Sequence, residues 1–247
     1  MRKILLGVIA MTVVVAMLSC GETPKSNEAV EPMNIEFWEV CDNGMSVDIE
    51  NFLYEEVDAL VCASHDADGE DIGYRPFSSL LSDDKSYLMG GIVAAAKKEN
   101  ISALNDFMAM DSVQQRLDEI TGGEVKLSWE IKSRCNAAAD DVFRLYALRG
   151  HNGLNPVLDS SCLVKAEAEK SFYGNDYTVL LTMSEEAAVL WADITERNIG
   201  KSIAMVGNGR VLSCPWVNGR IDGGKSSISG NFTKEEAERL ARAIKVK

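Results

Sequence analysis

The chain has 247 residues, with 38 acidic against 25 basic side chains and a formal net charge of −13. That excess of carboxylates excludes a surface built to grip nucleic acid, which needs clustered Lys and Arg, and it opposes adsorption to anionic lipid heads. With 46% hydrophobic residues, the chain is long enough for one sizeable core or two small ones.

The N-terminus reads MRKILLGVIAMTVVVAMLSCG. Arg2 and Lys3 precede an apolar run from Ile4 to Leu18. That run is shorter than the roughly 20 residues of a membrane span and suits a secretory signal. Ser19 and Cys20 end it, and the stretch resembles the lipobox of bacterial lipoproteins, with Met17 where that family prefers Leu. The resemblance implies a lipoprotein signal peptide over residues 1–19 and a Cys20 that carries the lipid, palmitate included. Residues 20–33 are polar, contain Pro24 and Pro32, and read as a flexible tether. The remaining cysteines, Cys41, Cys62, Cys135, Cys162 and Cys214, are widely spaced and show no C-x-x-C. They read as small buried side chains, with one disulfide left open.

Order begins at IEFWEV (35–40), a strand by its apolar and aromatic content. Phe52, Leu53, Val57, Leu60 and Val61 then recur at helical spacing. A second helical stretch covers 101–121, broken near Met110–Asp111, and 124–132 and 142–148 alternate as half-buried strands. YTVLLTM (177–183) is a strand. Thr182 or Ser184 caps the helix that follows to about Asn198, with Ala187, Leu190, Trp191 and Ile194 as its apolar face. SIAMV (202–206) and RVLSCPWV (210–217) flank the hairpin signal GNG. Thr233 and Glu236 form a capping box for a last helix that buries Ala237, Leu240, Ala241 and Ile244.

GRIDGGKS (219–226) satisfies the phosphate-loop pattern through Gly219, Gly224, Lys225 and Ser226. That chemistry needs a helix N-terminus directly after the loop. The chain instead continues SISGNF, and the helix starts only after the Thr233 cap, so neither nucleotide nor any other cofactor is expected. His65 and His151 are the only histidines and share no ligand spacing. SHDADGEDIGYR (64–75) resembles a calcium loop at Asp66, Asp68 and Gly69. Ser64 and Arg75 occupy its first and bidentate positions, so it reads as a solvated acidic loop, and no metal is expected. There is no G-x-S-x-G elbow, and Glu235 and Glu236 are explained by helix capping, which leaves no catalytic constellation.

The run from Leu181 to Lys245, with Thr195, Asn198, Gly200, Lys201, Pro215, Gly223, Gly224, Gly230, Phe232, Glu236, Ala237, Leu240 and Ala241 in matching places, resembles the first periplasmic domain of the SecD/SecDF protein-export family. Weaker similarity to SecDF proteins of the Bacteroidetes type extends upstream through IEFWEV, RPFSSLL (75–81), VKLSWEIK and LYALR (145–149). Asn208 replaces the family's turn Asp, and the family's transmembrane helices and intramembrane acid have no counterpart here. The resemblance implies an α+β fold, a mixed sheet with packed helices. It divides the chain into a SecD periplasmic-like part over 34–174 and a head-subdomain-like core over 175–247. It also implies a non-enzymatic protein of the cell envelope, facing the periplasm, held to the membrane by its lipid anchor only. Such a protein would bind or guide polypeptide or an export-machinery partner. A structural lipoprotein with an unrelated fixed partner, and an enzyme with a hidden site, stand as alternatives.

Lipidation gives the first prediction. One acyl chain binds a bilayer only marginally, so durable attachment depends on multiple acylation at Cys20. Cys20→Ala should release the protein from membranes or leave its leader uncut. Fractionation showing a processed, fully membrane-retained variant would contradict this.

Overall fold

The computed structural model describes residues 31–64, 75–83, 90–131, 142–172 and 174–247. The leader, Cys20, the tether up to residue 30, the loop residues His65, Asp66, Asp68 and Gly69, and Cys135 lie outside the described residues.

Strand β1 (Ile35–Val40) sits at the centre of the larger sheet. Its alternation places Ile35, Phe37 and Glu39 on one face and Glu36, Trp38 and Val40 on the other. Helix α1 (Asn43–Asn51) starts where the Asp42 carboxylate accepts the Met45 N–H at 3.0 Å. A π-helical turn over Phe52–Glu56 leads directly into α2 (Val57–Ser64), and Phe52, Leu53 and Val57 are fully buried. Strand β2 (Ile92–Lys97) follows, then α3 (Ile101–Met108) and α4 (Asp111–Thr121). The expected break falls between these helices, at the extended Met110.

Strands β3 (Val125–Trp129) and β4 (Val142–Arg149) pair antiparallel. A two-residue β5 (Leu158–Asp159) pairs with β1. Strands β6 (Leu163–Lys170) and β7 (Tyr177–Met183) form a hairpin. Helix α5 (Glu185–Arg197) is capped by Ser184, whose hydroxyl accepts the Ala187 N–H. Strands β8 (Ile203–Gly207) and β9 (Arg210–Ser213) turn through Asn208 and Gly209, at φ 50° and 73°, a primed turn that suits Asn-Gly. The second strand stops at Ser213, short of the expected Val217. Strand β10 (Lys225–Phe232) and α6 (Lys234–Ala243), with its complete Thr233–Glu236 capping box, end the chain.

The fold is α+β. Pairing between named strands is antiparallel throughout, and parallel contacts are confined to isolated bridges. One of those bridges decides the architecture. The larger sheet runs β2-β4-β1-β8-β9, with β3 on β4. It curls until Glu130, just past β3, bridges Val211 of β9 in parallel. The Ile131 N–H donates to the Val211 carbonyl at 2.9 Å, and the Ser128 hydroxyl donates to the Gly209 carbonyl at 2.8 Å. A ring of five antiparallel strands can close only through one parallel pair, and β3 against β9 is that pair. Trp38, Val40, Ile92, Tyr146, Leu148, Ala204, Val206 and Val211 fill the interior. Phe143, Leu145 and Ala147, of the opposite parity on β4, face outward into a second core with α1–α4.

The smaller sheet, β10-β7-β6, has one apolar and one polar face. Val179, Leu181 and Ile228 are fully buried, with Ala166 and Ala168 in register beside them. Lys165, Glu167 and Glu169 share the other face with Thr178, Leu180 and Thr182. Helix α6 packs on β6 and β7. Its Ala237 and Ile244 are buried, as the spacing predicts, whereas Leu240 and Ala241 are only half-buried. Residues Glu31–Lys247 form one compact unit. Met33, expected as the last tether residue, belongs to that unit. It is buried, donates its N–H to the Ala243 carbonyl at 2.7 Å and accepts the Lys245 N–H at 2.9 Å.

The tandem glycines of the glycine-rich loop are not equivalent. Gly224 has φ +59°, and a Cβ there would lie 2.6 Å from the Ala188 Cβ on α5. Gly223 has an ordinary φ and nothing within 4 Å. Gly224→Ala should therefore cost ~1 kcal/mol or more through backbone strain and contact with α5. Gly223→Ala should leave the melting temperature unchanged. Equal effects in calorimetry would contradict this asymmetry.

Candidate interaction surface

Lys225 and Ser226 open a strand, not a helix, so the glycine-rich loop lacks the aligned amides that hold phosphates. The loop is fastened to α5 instead. Arg220 reaches Asp193 at 3.0 Å and Glu196 at 2.6 Å through Nη1, and Asp222 at 2.7 Å through Nε. Hydrogen bonds to Asp222 and Asp193 hold the guanidinium above its usual pKa. Beside it, the Ile221 N–H donates to the Thr195 hydroxyl at 3.0 Å. Thr195 is fully buried and donates in turn to the Trp191 and Ala192 carbonyls.

Asn198 fixes the other side of α5. It is buried and donates to the Ile194 carbonyl at 2.8 Å and to Glu39 Oε1 of β1 at 2.7 Å. Arg197 Nε donates to the same oxygen at 2.9 Å. Burial alone would raise the Glu39 carboxyl, but the hydrogen bonds from Asn198 and Arg197, with the charges of Arg197 and His151, outweigh it and hold the group below its usual value. The Trp191 ring meets the edge of Phe37 at 5.2 Å between centroids on the same outer face of β1. Thr195, Asn198 and Gly224 are thus locks between α5, β1 and the glycine-rich loop, and none of them presents a reactive group to solvent.

Sequence patterning missed three charged positions that organise this region. Glu39 and Arg220 carry no motif signal by themselves. Glu130, 3% exposed, accepts the Arg144 N–H through Oε1 at 3.0 Å, and its carbonyl accepts Arg210 Nη2 at 2.7 Å at the barrel seam. Cys41, Cys62 and Cys162 are free thiols. Burial pushes Cys41 up to about 12 and Cys162 to about 11, which keeps both protonated and inert. Among the described residues, no cluster of His, Cys, Asp and Glu could hold a metal ion.

Several large apolar side chains of this region are exposed. Leu190, expected on the buried face of α5, is 54% exposed beside Val189 at 62%. Trp191 occupies the contact with β1 and leaves Leu190 on the flank of the helix. Trp216 is 53% exposed and lies opposite Ser202 in an isolated bridge. Strand β6 forms an outer edge of the smaller sheet.

Residues 146–246 match the family model described as SecDF, P1 head subdomain. Protein translocase subunit SecD of Sebaldella termitidis is 32% identical over 141 residues, which cover 57% of this chain and 30% of that protein. SecD of Desulfurispirillum indicum is 45% identical over 67 residues, 27% of this chain and 13% of that protein. This chain therefore spans under a third of the length of these curated relatives. A solved structure described as a membrane component SecDF that enhances protein export aligns over 85% of this chain and 91% of its own, with TM-score 0.36 and 20% identity.

The Asn198–Glu39 contact gives a prediction in two parts. Asn198→Ala should cost about 1–3 kcal/mol, because it removes a buried donor from a half-buried carboxylate. Glu39 titrates lower in the folded state than in the unfolded one. Its contribution is therefore present above the usual carboxylate value of 4.5 and is lost as pH falls through the folded value. In urea titrations, Asn198→Ala should also show a shallower loss of stability in that acid range. A variant with wild-type stability and wild-type acid sensitivity would contradict the assignment.

Proposed function

Given that residues 146–246 match the family model described as SecDF, P1 head subdomain, we propose that this chain is a non-enzymatic envelope lipoprotein that binds or guides polypeptide, or an export-machinery component. The match over 146–246 carries the reading, together with the translocase subunits among its relatives. The side chains of the motif are engaged in internal contacts, and in this reading recognition falls to exposed surface such as Val189, Leu190 and Trp216. Among the described residues, no helix is long and apolar enough to cross a membrane. In this reading Cys20 is lipidated and holds the domain facing the periplasm, and binding uses neither nucleotide nor a proton gradient.

Passive binding stabilises an unfolded client only by mass action, so its effect rises with the ratio of protein to client. A soluble form should begin at Gly21, which keeps Met33 on Ala243. Light scattering of a denatured client diluted into that protein, without ATP, should show slower aggregation in proportion to the ratio. If the form does no better than an acidic protein of similar size at every ratio, polypeptide holding is wrong, and a fixed protein partner becomes the better reading.

A further inference from the structure

Strand β6 ends the smaller sheet, with β7 on one side only. At its start, the Leu163 carbonyl accepts the Lys247 N–H at 2.9 Å, and a register shift falls between Leu163 and Lys165. Beyond that point Lys165 to Lys170 run as a regular outer edge. A row of unpaired backbone groups of this kind is a template for another strand, and proteins commonly block it with charges. Here the signs alternate in a way that blocks most strands but not this one. Lys165 and Glu167 stand on the same polar face, with Nζ 2.7 Å from Oε2. Ala166 and Ala168 lie on the other face, in register with the buried Leu181 and Val179.

We infer that two copies of the chain pair antiparallel through β6, about a two-fold axis at Ala166. Directly opposite residues in an antiparallel pair hold their Cβ atoms about 4.5–5.5 Å apart. With the axis at Ala166, Lys165 lies opposite the partner's Glu167, and Glu167 lies opposite the partner's Lys165. The two ion pairs within the strands and the two between them make a closed ring of four alternating charges. The small Ala166 lies opposite the partner's Ala166 on the apolar face, the face on which α6 packs. Moving the axis to Glu167 would oppose two glutamates, and moving it to Ala168 would oppose Glu167 to Glu169, so charge selects the register. The two three-stranded sheets then become one six-stranded sheet. An interface of a few paired residues buries less than a permanent dimer needs, so the association is weak and depends on concentration.

This pairing is independent of the client. It is tested on the full chain in non-denaturing detergent by sedimentation over a wide concentration range. The wild type should shift from monomer to dimer. Lys165→Glu and Glu167→Lys should each weaken association about tenfold or more, because each turns two opposite-charge pairs into like-charge pairs. The double reversal Lys165→Glu with Glu167→Lys should restore it, because it recreates the ring with signs exchanged. Ala166→Cys should form an intermolecular disulfide under mild oxidation, in excess of the parent chain, whereas Thr178→Cys, one strand in from the edge on β7, should not. A wild type that stays monomeric and an Ala166→Cys variant that does not cross-link would overturn the proposal. So would single reversals that leave association unchanged, or a double reversal that fails to restore it. Loss of the Ala166→Cys cross-link between copies in favour of one to an added cysteine-bearing unfolded polypeptide, in a wild type that stays monomeric, would assign the edge to a client strand instead, and would also overturn it.

Discussion

The closure of the larger sheet around Trp38 is the constraint on which the rest of the structure depends. Trp38 is 2% exposed, its ring lies under Lys126 at 5.1 Å, and its indole N–H donates to Glu36 at 2.8 Å. The ring of strands that encloses it draws β1 and β4 from the first part of the chain and β8 and β9 from the last. Removing such a side chain would leave a cavity worth roughly 3–5 kcal/mol. The seam, where Glu130 meets Val211 and Arg210, holds only while both parts are in place. The segment that resembles the SecDF P1 head is therefore completed by strands that lie before it in sequence, because β8 pairs along nearly the whole of β1.

The same constraint explains what the family motif reports. Phe37 and Glu39 alternate with Trp38, so the residue that fills the barrel also sets the two that meet α5. Phe37 receives Trp191, and Glu39 receives Asn198 and Arg197. One turn earlier on the helix, Thr195 takes the Ile221 N–H and places the glycine-rich loop, and Gly224 lets that loop lie against Ala188. A motif that determines packing so fully constrains fold and leaves the choice of partner to the exposed faces.

Much of this was legible in the sequence. The Thr233–Glu236 box, the Ser184 cap, the Asn208–Gly209 turn and the break at Met110 are local signals, and each sits where its chemistry placed it. The phosphate-loop pattern failed on local grounds too, since a strand follows Ser226. Strands β2 and β6 were not legible. IVAAAK and LVKAEAEK are rich in Ala, Glu and Lys, which favour helix, and only pairing with β4 and β7 makes them strands. The seam at Glu130 and the anchor at Glu39 could not be read either, because their partners lie 80 and 159 residues away. Leu190 was misplaced because spacing identifies a stripe but cannot say where its boundary falls once Trp191 has filled the contact.

The central claim is that the head-like segment and the residues before it are one cooperative body joined through the barrel. Native-state hydrogen exchange of the full chain, read by amide across increasing denaturant, tests it most directly. The account requires the amides of β1, β3 and β8 to lose protection in a single opening, at one free energy and with one denaturant dependence. Protection that persists in β8, β9 and α5 after β3 and β4 have exchanged would show that the head-like segment holds its fold alone, and would contradict the account.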